Sequence, residues 1–213
     1  MWLNTAYNRL QYHGPQYVSR RCISKEKAGT SAMHLDKTLN LKKFNRHSFV
    51  AQFGGLYEHS PWVAERVWSD IDTESNMPFT VLANKLRTTV DDASDDRKLV
   101  LLRAHPELAG KAATEGALTT ESTVEQSRAR LDLCSSEEFA KFHQLNSAYN
   151  EKFQFPFIMA VRNSTRSEIL LSFEARLNND RQQEFVTALE QVHQIALLRL
   201  EAFILSEHSI EKG

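Results

Sequence analysis

Arg103-Ala104-His105-Pro106-Glu107-Leu108-Ala109-Gly110 places a histidine at a forced helix break. After a short loop it continues into Leu118-Thr119-Thr120-Glu121-Ser122-Thr123-Val124-Glu125-Gln126, a polar, carboxylate-bearing segment. Pro106 disfavours the α conformation for the residue before it, so a helix carrying Leu99 to Leu102 is predicted to stop near His105. Spacing alone leaves His105 with two readings. It is a working imidazole at a helix end, or an exposed terminal residue beside a turn proline.

Working upstream, Asp91, Asp92, Asp95 and Asp96 favour the start of that helix, because carboxylates complement the positive end of the helix dipole. Before it, Pro78 opens a helix with Phe79, Leu82, Leu86 and Val90 on one side. Ser60-Pro61 opens another, serine capping the free amides and Trp62, Val63 and Val67 forming the buried face. From Asn45, Phe49, Phe53 and Leu56 recur at helical spacing until Gly54-Gly55 ends the run.

Working downstream, Ser135-Ser136-Glu137-Glu138 opens a helix carrying Phe139, Phe142, Leu145, Tyr149 and Phe153. Residues 155 to 161 are apolar without helical period and read as a short extended piece, whose backbone groups need partners from a ligand or from a buried connector. A short helix spans Ser167 to Leu177, and Asn178-Asn179-Asp180 opens the last and longest one. Its apolar stripe of Phe185, Leu189, Val192, Ala196 and Phe203 is interrupted by Arg199, which must meet a carboxylate, another acceptor or an anionic ligand. An internal ion pair or a snorkelling side chain would serve equally. Ser122-Thr123-Val124-Glu125 fits a capping box, in which Glu125 only folds back on a helix start; alternatively Ser122 caps while Gln126 offers its amide to a ligand.

The 213 residues suit one domain, an all-α bundle of about eight or more helices with one short extended segment. Lys plus Arg number 26 and Asp plus Glu 27, so no global field draws in a nucleic acid backbone. Cys22 and Cys134 have no metal or disulfide spacing, no histidine pairs with a carboxylate at metal-ligand spacing, and no phosphate loop or nucleophile elbow occurs. The apolar runs are far shorter than the roughly 20 residues that span a bilayer, so a soluble protein without membrane contact is expected. Residues 1 to 34 read as a disordered tail or as a segment upstream of a true start near Met33, with the domain over 35 to 213. They also suggest a transit peptide or an imperfect amino-terminal peroxisomal address that departs from the pattern at Tyr17.

Several motifs stand in order along residues 37 to 207: Phe53-Gly54-Gly55-Leu56-Tyr57-Glu58-His59-Ser60-Pro61-Trp62-Val63-Ala64, the segment 105 to 110, the segment 121 to 126, Leu145-Asn146-Ser147-Ala148-Tyr149 with Phe155-Pro156-Phe157-Ile158, and Ile195-Ala196-Leu197-Leu198-Arg199-Leu200. Together they closely resemble the OHCU decarboxylase family, OHCU being 2-oxo-4-hydroxy-4-carboxy-5-ureidoimidazoline. The resemblance implies the last step of urate oxidation, giving (S)-allantoin, in an all-α homodimer without cofactor. It further implies that His105 is the catalytic histidine and Glu125 its acidic partner. Pro106, Ser122, Gln126 and Arg199 are implied to line the substrate, with the Phe157 and Ile158 backbone amides meeting it. No metal is expected. The chain ends Ile210-Glu211-Lys212-Gly213, not Ser-Lys-Leu, and lacks the transthyretin-like hydrolase fused in plant relatives. A cytoplasmic location is therefore expected, with a peroxisomal one as the alternative for a eukaryotic source. A catalytically inactive helical module that binds a small anionic heterocycle or a partner protein is the competing reading, and it predicts that His105, Glu125 and Arg199 do not share one cavity.

Overall fold

Local signals set most helix boundaries. The computed structural model describes residues 37–110, 118–129 and 131–210, and among these it contains eight α-helices. They are α1 (Arg46–Phe53), α2 (Trp62–Ser69), α3 (Phe79–Asp91), α4 (Asp95–Arg103), α5 (Thr120–Arg128), α6 (Ser136–Phe153), α7 (Arg166–Arg176) and α8 (Arg181–Ile210). Asn45, Ser135 and Thr165 start α1, α6 and α7 with reciprocal capping boxes, each satisfying two otherwise orphaned amides. Ser94 caps α4, and Asp95 and Asp96 occupy its first turn. At the far end of α6, Gln154 takes the left-handed conformation, φ 65°, and closes the helix before Phe155. The expectations for residues 1 to 34 and for Cys22 lie outside the described residues.

Three details differ from the sequence reading. Ser60 does not cap α2 with its side chain; Pro61 occupies the cap position, and the Ser60 carbonyl accepts the Val63 amide. Ser122 is not the cap of α5 either: Thr119 takes that place, its hydroxyl accepting the Ser122 amide at 3.2 Å, so Ser122 and Glu125 lie inside the helix. The capping-box reading of Glu125 fails because the helix starts one turn earlier. A small sheet was also not foreseen. β1 (Thr38–Asn40) pairs antiparallel with β2 (Asn76–Pro78), Leu39 opposite Met77, and three-residue strands are too short to show an alternating pattern.

The long helix α8 packs against α3, α4 and α6, while α1, α2 and α3 form a second layer. Its buried stripe runs Val192, Ile195, Ala196, Arg199, Leu200 and Ile204, with Phe185, Leu189 and Phe203 half-buried at its edges. On α6 the buried face is Phe142, Leu145, Tyr149 and Phe153; Phe139, at the first turn, is 38% exposed. Residues 155 to 161 are extended and irregular, with Phe155, Phe157, Ile158 and Val161 buried. Phe157 stacks on Phe173 with ring centroids 3.8 Å apart, which fixes this segment against α7. No described helix is long and apolar enough to cross a membrane.

Candidate active site

Pro106 ends α4 as its chemistry requires, and the chain turns inward, not outward. His105 is 7% exposed, which removes the reading of an idle surface residue. Its Nδ1 lies 2.9 Å from the Leu101 carbonyl, so that nitrogen carries the proton and donates it. Nε2 is then the acceptor, and it is buried with no hydrogen-bond partner among the described residues. Burial holds the imidazole down at about 4, opposed by the Leu101 carbonyl and the Glu58 carboxylate. At neutral pH His105 is an uncharged ring presenting a bare lone pair.

The loop after His105 is fixed by amide side chains. Gln126 accepts the Ala109 amide at 3.1 Å and donates to the Glu107 carbonyl at 3.3 Å. Asn146 donates to the Leu108 carbonyl at 3.0 Å, and Asn150 to the Glu107 carboxylate. Ala109 is thereby held at φ 50°, a conformation a non-glycine residue adopts only when its surroundings over-determine it. Gly110 is required by space: a Cβ there would lie 2.6 Å from that of Glu107.

Arg199 arrives from α8 into a cage of acceptors. Nε and Nη2 bond the two oxygens of Glu125 at 2.8 and 2.9 Å, Nη2 also reaches the Ser122 hydroxyl at 3.3 Å, and Nη1 donates to the Gly55 carbonyl at 3.0 Å. The fork-to-carboxylate match with Glu125 is bidentate, the strongest geometry an arginine offers. A second carboxylate completes the cage: Glu58 Oε2 lies 2.7 Å from Nη2. The other Glu58 oxygen accepts from Thr119 at 2.6 Å and Ser122 at 3.1 Å. Burial works to raise the Glu58 carboxyl, yet the Thr119 hydroxyl and the Arg199 charge together hold it below the usual carboxylate range. Burial likewise opposes the Arg199 charge, and the Glu125 and Glu58 carboxylates outweigh it.

All eight residues singled out from the sequence line one cavity: His105, Pro106, Ser122, Glu125, Gln126, Phe157, Ile158 and Arg199. Leu108, Met159, Val161 and Ile195 supply the rest of its wall, and these four are apolar. The dispersed arrangement that the binding-module reading predicts is absent from this site. Two expected roles look different in three dimensions. Glu125 is bound to Arg199, and the carboxylate whose charge bears on His105 is Glu58. Gln126 is engaged on both its oxygen and its nitrogen by the loop, so it positions backbone as well as lining the cavity.

Glu58, Asn146 and Asn150 were not singled out by sequence reasoning. The signal for Glu58 was faint: an acidic residue in a glycine-containing turn, followed by His59 at φ 47°. Among the described residues no three His, Cys, Asp or Glu side chains are placed to hold a metal ion.

Comparison with known proteins bears on the whole of this framework. The family model described as OHCU decarboxylase matches residues 42–201. A 2-oxo-4-hydroxy-4-carboxy-5-ureidoimidazoline decarboxylase of Haloferax volcanii is 42% identical over 175 residues, 79% of this chain and 98% of that protein. A protein of the same name from Halalkalicoccus jeotgali is 42% identical over 165 residues, 76% of this chain and 88% of its own. Among solved structures, an (S)-allantoin synthase superposes with a TM-score of 0.61 at 34% identity, covering 76% of this chain and 52% of that one.

Proposed function

The chain belongs to the OHCU decarboxylase family and is a carboxy-lyase of urate breakdown, and we propose that its reaction is carried by His105, Glu125 and Arg199 in the cavity just described. The substrate is OHCU and the products are (S)-allantoin and carbon dioxide, formed without a cofactor. One observation carries the assignment of roles: a buried imidazole whose bare nitrogen has no partner among the described residues lines the same cavity as a bidentate Arg199–Glu125 pair.

The chemistry needs little more than this. As the bond from the ring carbon to the carboxylate breaks, carbon dioxide leaves and its electron pair moves into the neighbouring ring C=N unit. The hydroxyl oxygen becomes a carbonyl, and one ring carbon gains a hydrogen. In sum, one proton is taken up for each carbon dioxide lost. His105 Nε2 handles that proton, and general acid–base catalysis of this kind is worth about 10²- to 10⁴-fold. Glu125, fixed by Arg199, accepts from the substrate hydroxyl. Among the described residues Arg199 spends four of its five N–H groups, which leaves one, on Nη1, for a substrate oxygen. Neither the Phe157 nor the Ile158 amide donates to a described residue, which supports the reading that they meet the substrate. Leu108, Phe157, Ile158 and Ile195 line the same cavity, and the apolar surface they present strengthens the action of these few dipoles.

The assay uses OHCU freshly made from urate by oxidation and hydrolysis. Addition of the protein is expected to speed the appearance of optically active allantoin, and unchanged decay to racemate would remove the reading. Glu125→Gln should retain the fold and lose most of the acceleration. A homodimer located in the cytoplasm belongs to the same proposal, resting on family resemblance; a monomer mass by light scattering would overturn the dimer.

A further inference from the structure

The charges gathered at this site, Glu58 and Arg199 buried and Glu125 half-buried, do not balance in favour of an anion. Facing His105 are Glu58 and His59 from the α1–α2 turn and Arg199 from α8, with Glu125 of α5 across the same cavity. On its own segment, Glu107 is taken up by Asn150. His59 is exposed. Arg199 contributes one positive charge, Glu58 and Glu125 two negative ones, and the neutral His105 none. The free site therefore carries a net negative charge before any substrate arrives, and its one guanidinium is already answered twice. A substrate carboxylate entering such a site would lack a counter-charge, and an uncompensated buried charge is strongly disfavoured.

Resting on the function proposed above, we infer that the anionic substrate enters together with one proton, which His105 Nε2 takes up on binding and gives to the ring during the reaction. Among the described residues three buried side-chain atoms lack a hydrogen-bond partner, His105 Nε2, Glu58 Oε2 and Asn146 Oδ1, and Nε2 is the acceptor because it is the one on a side chain lining the cavity. Glu125 is held bidentately by Arg199, and Glu58 takes two hydroxyl donors on Oε1 while its Oε2 lies 2.7 Å from the same guanidinium, whose charge disfavours protonation there. Burial keeps His105 at about 4 in the free protein, so it stays neutral until a carboxylate sits beside it. A negative charge at contact in a low-dielectric cavity then favours the imidazolium, which is the missing counter-ion. When the carbon–carboxylate bond breaks, carbon dioxide leaves, the ring receives the electron pair, and the Nε2 proton passes to the ring. His105 returns to the neutral form with Nε2 bare, ready for the next turnover. The proton brought in by binding is thus the one the overall reaction consumes, and Nδ1 keeps its hydrogen bond to Leu101 throughout.

The test is the pH dependence of kcat/KM for OHCU between about pH 6 and pH 8, well above the free His105 value. Proton-coupled binding predicts a fall of about tenfold per pH unit, with kcat changing much less. Inhibition by (S)-allantoin, an uncharged ligand, should be independent of pH over the same range. A level or rising kcat/KM alongside clear acceleration would overturn the proton uptake while leaving the decarboxylase reading intact; no acceleration at any pH would instead remove that reading. A parallel loss of (S)-allantoin affinity would trace the effect to the protein, not to ligand charge, and would also overturn the inference. In Glu58→Gln the site starts neutral, so the slope should flatten, and an undiminished slope would refute the charge count.

Discussion

Two buried arginines of this protein look alike and do different things. Arg176 on α7 meets Glu184 through Nε at 2.8 Å and also through Nη2, and it donates to the Ile158 carbonyl at 2.7 Å. Tyr149 donates to the same carboxylate, Asn179 reaches its other oxygen at 2.6 Å, and the guanidinium sits 4.5 Å from the centre of the Phe157 ring. One positive charge meets one negative charge, and both Glu184 oxygens are bonded. Around Arg199 there are two carboxylates, a neighbouring histidine nitrogen without a partner among the described residues, and a cavity. A complete network holds parts together, whereas one with an excess charge and an open acceptor is poised to take something in.

The same contrast separates two buried histidines. His193 accepts the Tyr57 hydroxyl on Nδ1 at 2.9 Å and donates from Nε2 to Asp91 at 3.0 Å, so both nitrogens are used. His105 uses one. Each is held below the ordinary histidine range, chiefly by burial, which means that a shifted histidine by itself does not mark a catalytic site.

The comparison breaks most readily at Glu184. Glu184→Ala leaves Arg176 buried without its counter-ion and should cost about 3 to 5 kcal/mol of stability in denaturant unfolding. If activity falls first while stability holds, the Arg176 network is part of the site and not its support. His105→Asn should do the reverse, lowering the rate about 10²- to 10⁴-fold with the thermal midpoint essentially kept. A wild-type rate in that variant would end the distinction.

Acid unfolding sharpens it further. A histidine whose folded value is depressed is protonated more readily when unfolded, so stability present above about pH 6.5 is lost as pH falls toward about 4. The His105 contribution to this loss is about 3 kcal/mol, and His105→Asn should reduce the steepness of the acid limb. The smallest effect is expected at Tyr57→Phe, which strips His193 of one partner: about 1 to 3 kcal/mol of stability, with kcat/KM near the wild-type value. A large loss of activity there would show that the Tyr57 anchor also sets the neighbouring Glu58.

The sequence by itself determined the helices and most of their ends, and it named side chains that turn out to share one cavity. Capping and helix breaking act over three or four residues, so Asn45, Ser94, Ser135 and Pro106 announce themselves locally. The motif around His105 and the arginine interrupting the α8 stripe were legible for the same reason, and the residues they named do converge on one cavity. Where two local patterns competed the reading erred, as at Ser122, which resembles a cap but sits one turn inside α5. Only the tertiary structure decided who partners whom. Glu58, Glu125 and Arg199 come from three segments remote in the chain, and nothing in their spacing assigns two carboxylates to one guanidinium or leaves His105 Nε2 without a partner among the described residues. Charge balance in a buried site is a property of packing, because whether an ion is costly or useful depends on what the fold places within hydrogen-bond reach of it.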